Sequence, residues 1–468
     1  MPTRSGPAEV QTLRDGIAQQ FLNELSTEEV LFEAVHSLLE LLQRDLPQAR
    51  VFVSGGILRD LAVCRCEDLA FRIHDLDLVA EGVNAQELES ALRELTARSA
   101  RIEGVDRVGK SFAVWKIKTA GNPNPIDLAL TRTEWSFGTH HRDFEVSTDG
   151  ITIEEDSLRR DFRMNALYLA LDLHPRTRIT GSLLDFHGGL ESILDRRIEC
   201  VGSPRERFQE DPLRMLRAIR FRARLPGFEI CPETSAAMLE LVPDLLKTVS
   251  RERIAEEIYK ALTAHPESAL EDLKTYGILR HAFPDLERLD GASIQRTGRR
   301  LRHLLELRSG AVDRPLLFAA FLFDLALTEA ESSLRRHLAS VKIPPGRFAA
   351  GNVSRIAQGA RLHSVKDITQ LCGDTLCLIH FDLIENAGAV IEGIFSRHGD
   401  PGRLLALYRA CRLAEGTAPR DFAAIMSSHR PATIDFNQLL QSSGIPVGPH
   451  LQPLKVRLRQ LEIEGGIQ

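Results

Sequence analysis

Several common protein classes are excluded by what this 468-residue chain lacks. No apolar run approaches the roughly 20 residues a membrane-spanning helix needs. The first residues do not show the basic-then-apolar layout of a secretory signal. Seven cysteines, an odd number at irregular spacing, make no disulfide framework and lead us to expect a reducing, cytoplasmic setting. Cys64-x-Cys66 and Cys372-x4-Cys377 lack the partner ligands of a zinc site. There is no excess of positive charge: the formal net charge is −6, so a polyanionic partner must be held by local basic patches. Internal repeats and low-complexity tracts are also missing.

The length is too great for one ordinary core and implies roughly two to four domains. Residues 1–45 read as a polar start and an amphipathic helix, with Leu31, Val35, Leu38, Leu39 and Leu42 at helical spacing. Short β-rich runs follow at Val51–Val53, Leu76–Val79, Phe112–Ile117 and Ile126–Leu130, with one helical stretch from Ala85 to Leu95. This is an α+β block. Beyond residue 180 helical periodicity dominates, over Asp211–Arg224, Thr234–Leu246, Arg251–Thr263, Glu267–Tyr276 and Leu316–Leu327. Breaks at Pro344-Pro345-Gly346, Asp400-Pro401-Gly402 and Gly444–Pro449 divide the helical half. The expected fold is an α+β N-terminal head, a small mixed β-sheet with helices, followed by all-α domains.

The chemistry concentrates in Val53-Ser54-Gly55-Gly56-Ile57-Leu58-Arg59-Asp60 and, just downstream, His74-Asp75-Leu76-Asp77. A strand running into Gly55-Gly56 lets backbone N–H groups approach an anion, with the N-terminus of the next helix facing it. If Asp75 and Asp77 lie in one strand they share a face, roughly 7 Å apart. Two carboxylates so placed suit Mg²⁺ bridged to substrate phosphates, and two ions are expected. Asp127, in the run Pro125-Ile126-Asp127-Leu128, falls in a plausible neighbouring strand. It would complete the metal shell, accept a proton from an attacking hydroxyl, or make a structural contact.

Two further segments carry polar groups in patterns suited to a nucleotide. In Arg159–Leu167, read as helical, Asp161 and Asn165 are four apart and would grip ribose hydroxyls, while Arg160 would hold triphosphate oxygens with its planar fork. In Glu210–Phe221, Asp211 is the expected N-cap with Pro212 in the first turn, and Arg214, Arg217 and Arg220 follow at steps of three. Cytosine and adenine each present an amino donor beside a ring-nitrogen acceptor; guanine and uracil reverse that order. A carboxylate beside a guanidinium complements the first pair and leaves the second unpaired, at about 1–3 kcal/mol per buried group. Asp211 with Arg214 would select C and A without a template, and Arg217 and Arg220 would serve the base or the triphosphate.

Taken together, Gly55-Gly56-x-x-Arg59-Asp60, Asp75-x-Asp77, Arg159-Arg160-Asp161-Phe162-x-x-Asn165-Ala166-Leu167, Asp185-x-x-Gly188-Gly189-Leu190, Glu210-Asp211-Pro212-x-Arg214-x-Leu216-Arg217 and Ser250-Arg251-Glu252-Arg253-Ile254-x-x-Glu257 resemble the class II tRNA nucleotidyltransferase and bacterial poly(A) polymerase family. The likeness runs over about residues 46–285. It implies a nucleotidyltransferase head over 46–182, a neck over 183–250 that reads the nucleotide, a helical body over 251–345 and a tail over 346–468 that hold tRNA. It also implies Mg²⁺ on Asp75 and Asp77, and ATP or CTP against Gly56, Arg59, Arg160, Asp211, Arg214, Arg217 and Arg220. Val108–Val114, with Lys110-Ser111, and the stretch from Thr131-Arg132-Thr133-Glu134 to Arg142 resemble the CCA-adding members. The expected partners are the tRNA 3′ end, ATP and CTP. Poly(A) addition, or addition of CC or A only, shares the main motifs and stands as the alternative; oligomeric state is not readable.

In the helical half, Phe323-Asp324 falls where some relatives carry a His-Asp pair, and Phe323 supplies no metal ligand. Asp324 is therefore expected to be an ordinary helix residue. Arg299-Arg300-x-Arg302, Arg335-Arg336-His337 and Lys455-x-Arg457-x-Arg459 are candidate patches for an RNA backbone.

Overall fold

The structure is a computed structural model that describes residues 5–419, apart from 110–112, 137–143, 149, 175–177, 284–285, 287–289, 309–311, 325–356, 359–363 and 383–399. Lys110-Ser111, the basic stretch beyond residue 136, Pro344-Pro345-Gly346, Arg335-Arg336-His337, Gly444–Pro449 and the Lys455–Arg459 patch lie outside the described residues. The chain divides into two compact units, Met1–Ser250 and Arg251–Gln468.

The first unit opens with two helices where one was expected: α1 (Pro7–Thr27), burying Leu13, Ile17, Phe21 and Leu25, and α2 (Glu29–Asp45), burying Leu31, Val35, Leu38 and Leu42. Glu28, at φ −91° and ψ 76°, departs from helical geometry and separates them. Then come β1 (Arg50–Ser54), α3 (Gly56–Cys66), β2 (Asp77–Glu81), α4 (Ala85–Arg98), β3 (Ile102–Val108), β4 (Val114–Thr119) and β5 (Ile126–Leu130). A small ladder of β6 (Thr133–Ser136) and β7 (Phe144–Ser147) and the short α5 (Ile153–Leu158) precede the hairpin β8 (Leu167–His174) and β9 (Arg178–Asp185).

Seven strands form one mixed sheet in the order β3-β4-β5-β2-β1-β8-β9, parallel only between β2 and β5. The central strands are buried apolar runs, Val51-Phe52-Val53 and Leu78-Val79-Ala80, as strands covered on both faces must be. The sheet is followed by α6 (Gly189–Leu194), α7 (Pro204–Glu210), α8 (Leu213–Arg224), α9 (Pro232–Leu241) and α10 (Leu245–Thr248). The single helix expected over Thr234–Leu246 is interrupted by a 3₁₀ turn at Val242–Asp244, because Pro243 brings no backbone N–H to an α-helical bond.

The second unit is helical over its described residues: α11 (Arg251–Ala264), α12 (Pro266–Thr275), α13 (Ile278–Ala282), α14 (Gly291–Leu307), α15 (residues 314–324), α16 (Val365–Asp382) and α17 (Pro401–Ala414). Its core corrects two expectations. Asp324 is 2% exposed and accepts Arg300 Nη1 and Nη2, each at 3.1 Å, and Thr297 Oγ1 at 2.6 Å. Arg300 is buried to 1% and stacks over the Phe323 ring at 4.8 Å, so it is not part of an RNA-facing patch. A carboxylate deprived of water needs such a partner, and a guanidinium supplies it bidentately. Arg299 and Arg302 are also engaged, with the Ala414 carbonyl at 3.2 Å and with Glu267 at 3.2 Å.

Candidate active site

The strand-to-helix turn is built for close approach. Gly55 follows β1 and caps α3 at φ +86°, a conformation L side chains rarely adopt, and a Cβ there would lie 2.9 Å from Asp77 Oδ2. Gly56 begins α3, and a Cβ on it would lie 2.9 Å from the Arg59 guanidinium. The Asp77 carboxylate therefore lies over the turn at the N-terminus of α3, where positive backbone dipole gathers. Ser54 is its cross-strand partner on one side and Asp127 on the other.

Asp75 differs from expectation. The ladder of β2 begins at Asp77, leaving Asp75 exposed on the approach to the strand rather than within it. The same-strand argument for its spacing from Asp77 therefore does not apply. Asp127 occupies the expected neighbouring strand and receives both its hydrogen bonds from Lys116 Nζ, at 2.7 and 2.8 Å. Surrounding protein desolvates the Asp77 carboxyl and raises its pKa; Asp127 and Asp75 add to the rise, and Arg160 and Lys116 oppose it.

Asp75, Asp77 and Asp127 offer only hard oxygen donors, the type Mg²⁺ takes, and the Lys116 ammonium already occupies Asp127 as a cation. Among the described residues no three His, Cys, Asp or Glu side chains converge into a metal cage. Mg²⁺ needs none, because it keeps waters and fills its shell with substrate phosphates beside one or two carboxylates.

Behind the turn runs a chain of buried polar groups. Arg59, 3% exposed, donates to Asp60 Oδ1 at 2.7 and 2.9 Å and to Asn165 Oδ1 at 2.6 Å. Asn165 Nδ2 donates to Asp161 Oδ1 at 2.9 Å, and Asp161 Oδ2 accepts Arg217 Nε at 2.6 Å. Burial alone would raise the Asp161 pKa, but Arg217, Asn165 and the Phe162 N–H hold it below the ordinary carboxylate range. The segment around it is not the helix expected: only Arg163–Asn165 form a 3₁₀ turn, and Phe162 bridges to Cys200. Asp161 and Asn165 meet nonetheless.

Arg160 donates Nε to Tyr168 Oη at 2.9 Å and Nη2 to Asp156 at 3.3 Å, and its guanidinium covers the Tyr168 ring at 5.2 Å. Asp156 is fully buried, accepts Tyr168 Oη at 2.8 Å and also takes Arg159 at 2.7 Å. The Asp185-x-x-Gly188-Gly189-Leu190 motif is a cap: Asp185 accepts the N–H groups of Gly189 at 2.7 Å and Leu190 at 3.0 Å. A Cβ on Gly189 would sit 2.4 Å from the Arg163 carbonyl oxygen, which locks α6 against the 3₁₀ turn.

The N-cap of α8 is Pro212 rather than the expected Asp211, which lies one residue earlier and accepts the Leu213 N–H through Oδ1 at 3.1 Å. Arg214 is 9% exposed; it donates Nη1 to Glu210 at 2.7 Å and the Arg207 carbonyl at 3.0 Å, and Nη2 to the Arg159 carbonyl at 2.7 Å. The charged stripe is thus partly inward, and Arg214 ties α7 and α8 to the segment after α5. Arg59, Arg217 and Arg220 all lie over the Phe221 ring, at 4.8, 5.5 and 4.8 Å. Phe221 meets Phe162 edge-on at 5.7 Å between centroids.

Sequence reasoning missed Lys116, Asp156, Tyr168 and Phe221. Only Lys116 left a signal, as a cation alternating with apolar residues in Trp115-Lys116-Ile117-Lys118, one strand before Asp127.

A mixed sheet with a glycine turn, an adjoining carboxylate pair and trailing helices defines a nucleotidyltransferase head with a helical extension. Residues 51–199 match the family model described as "Poly A polymerase head domain", and residues 227–289 match "Probable RNA and SrmB-binding site of polymerase A". Over these residues the chain carries a poly(A) polymerase head domain and resembles the tRNA nucleotidyltransferase and bacterial poly(A) polymerase family. A "Multifunctional CCA protein" of Xanthomonas campestris pv. campestris is 34% identical over 247 residues, covering 52% of this chain and 52% of its own length. The chain spans about half the length of the curated relatives it matches. Among solved structures, the Thermotoga maritima CCA-adding enzyme complexed with tRNA has a TM-score of 0.61 at 19% identity, over 96% of this chain and 95% of that one. The Bacillus stearothermophilus CCA-adding enzyme in complex with CTP has a TM-score of 0.57 at 21% identity, over 93% and 94%. At those identities the likeness shows the fold.

Proposed function

We propose that this chain adds C, C and A to the 3′ end of tRNA without a template, from CTP and ATP, releasing pyrophosphate. The observation that carries the reading is the Asp77 carboxylate lying over the Gly55-Gly56 turn, 2.9 Å from where a Gly55 Cβ would stand. That arrangement brings acidic metal ligands to a phosphate-binding helix start, as nucleotidyl transfer requires. The Xanthomonas relative is named a CCA protein, and the two similar solved structures hold tRNA and CTP, which supports tRNA and nucleoside triphosphates as substrates here.

In the proposed reaction a primer 3′-oxygen bonds to the α-phosphorus as the bond to the β-phosphate oxygen breaks and pyrophosphate leaves. Asp75 and Asp77 would hold Mg²⁺, in two ions, which lowers the pKa of the attacking hydroxyl and neutralises charge on the α-phosphate. The turn at Gly55 and Gly56 approaches the phosphates. Arg160, fixed by Tyr168 and Asp156, serves the triphosphate, and Asp161 and Asn165 stand near the ribose. Arg59 acts from behind the turn by holding Asn165.

Base choice falls to Asp211 and Arg214. Three hydrogen bonds to Glu210 and two backbone carbonyls fix the Arg214 guanidinium plane, so it cannot swing to suit a reversed donor–acceptor order. Arg217 and Arg220, set over Phe221, complete the wall. We assign residues 46–182 to the catalytic head, 183–250 to the neck, 251–345 to the body and 346–468 to a tRNA-holding tail, with 1–45 as an N-terminal extension. Among the described residues no helix is long and apolar enough to cross a membrane, and six cysteines are free; we place the protein in the cytoplasm.

The second reading is a polynucleotide adenylyltransferase, favoured by the match of residues 51–199 to a poly(A) polymerase head domain and of 227–289 to an RNA-binding site of polymerase A. Partial CC or A addition would use the same site. Replacing Asp75 and Asp77 together with Ala is expected to abolish nucleotide incorporation while RNA binding persists. Undiminished incorporation would overturn the site.

A further inference from the structure

Three neighbouring strands bring a cation and two carboxylates into one row. Lys116 on β4 is the direct cross-strand partner of Asp127 on β5, and Asp127 is the direct partner of Asp77 on β2. Partners at one level of a sheet project to the same face. Lys116 Nζ lies 2.7 and 2.8 Å from the two Asp127 oxygens, so the ammonium takes the carboxylate end-on. Both side chains are about one-third exposed, at 37% and 32%, and a pair so open to water contributes little to stability. Its consequence is chemical: the lone pairs of the third carboxylate beside the turn are taken up by an ammonium.

We propose that Lys116 is a positioning residue that competes with divalent metal for Asp127. The inference rests on the carboxylate site assigned above and adds how that site is loaded. With Asp127 taken, a metal ion alone meets only Asp75 and Asp77, and its affinity is low. A nucleoside triphosphate brings the missing oxygens, so metal and nucleotide bind together rather than in sequence. Metal affinity at oxygen sites follows the number of charged ligands, and one carboxylate gained corresponds to about tenfold.

The test is a titration of the full chain with Mn²⁺, free ion being read by electron paramagnetic resonance, with and without a non-hydrolysable CTP analogue. Lys116→Met is expected to bind Mn²⁺ alone about tenfold tighter than the unaltered protein and to show less gain on adding nucleotide. Lys116→Arg, which keeps the cation, should restore the original affinity. Adding Asp127→Asn to Lys116→Met should abolish the gain. A Lys116→Met protein with unchanged thermal unfolding and equal or weaker Mn²⁺ affinity overturns the role of Lys116. An Asp77→Asn protein that binds Mn²⁺ as well as the unaltered chain overturns the carboxylate site itself, and Lys116's role with it.

Discussion

Arg217 Nε donates to Asp161 Oδ2 at 2.6 Å, joining α8 to the segment that leads into β8. The bond closes a chain from Asp60 through Arg59, Asn165 and Asp161 to Arg217, so the glycine turn and α8 are set by the same buried groups. Arg217→Met would leave the Asp161 carboxylate with two hydrogen bonds, from Asn165 and the Phe162 N–H. The expected loss is about 2 kcal/mol, less than for a fully buried pair because Arg217 is one-third exposed. Asp161 has a lowered folded pKa. Its stabilising share is therefore present above the ordinary carboxylate value of about 3.9 and fades as pH falls through the folded value. Urea unfolding should show the full difference between the two proteins at pH 7 and a shrinking one below pH 4.

Gly55→Ala should cost more activity than stability. Its φ of +86° and the 2.9 Å approach to Asp77 Oδ2 force either the turn or the carboxylate to shift. The strained backbone costs about 1–2 kcal/mol, whereas a displacement near 1 Å at a reacting centre costs on the order of a hundredfold in rate. Thermal unfolding and single-turnover incorporation, measured on one preparation, separate the two effects.

Asp211 accepts the Leu213 N–H at the start of α8 and, in the proposed reaction, faces the base. Asp211→Asn keeps an oxygen for the Leu213 N–H and should leave stability near the original, while Asp211→Ala should lose about 1 kcal/mol. Both remove the charge proposed to reject G and U. Incorporation of GTP and UTP relative to CTP and ATP should rise by about 10–100-fold, the equivalent of about 1–3 kcal/mol.

Asp324→Ala should destabilise the second unit by about 3–5 kcal/mol, because it strands a guanidinium that is 1% exposed. The double variant Arg300→Met with Asp324→Leu should recover most of that loss, and chemical denaturation of all three proteins measures it.

The head was legible where apolar runs meet punctuation. Val51–Val53 before Gly55-Gly56, Ile126–Leu130 after Pro125, and the helical period from Leu213 to Arg224 each carry a local signal that tertiary packing did not override. The hairpin ending in Arg178–Asp185 was missed because its strand mixes Thr180, Gly181 and Ser182 with apolar residues, and its pairing with Leu167–His174 supplies the order. Arginine burial was the other failure. A period of three marks Arg214 as part of a charged stripe and local clustering marks Arg300 as part of a basic patch, but their partners, the Arg159 carbonyl and Asp324, are remote in sequence. Asp75 likewise depended on where pairing begins, which Ser54 and Asp127 decide from other strands.

The central claim is tested most directly by product length. The purified chain is given a tRNA transcript lacking its CCA end, one lacking only the terminal A, and an unrelated RNA, each with CTP and ATP separately and together. Completion of both tRNA transcripts to a CCA end, with no further growth and little extension of the unrelated RNA, is the predicted result. Long adenylate tails on any 3′ end from ATP alone would contradict it.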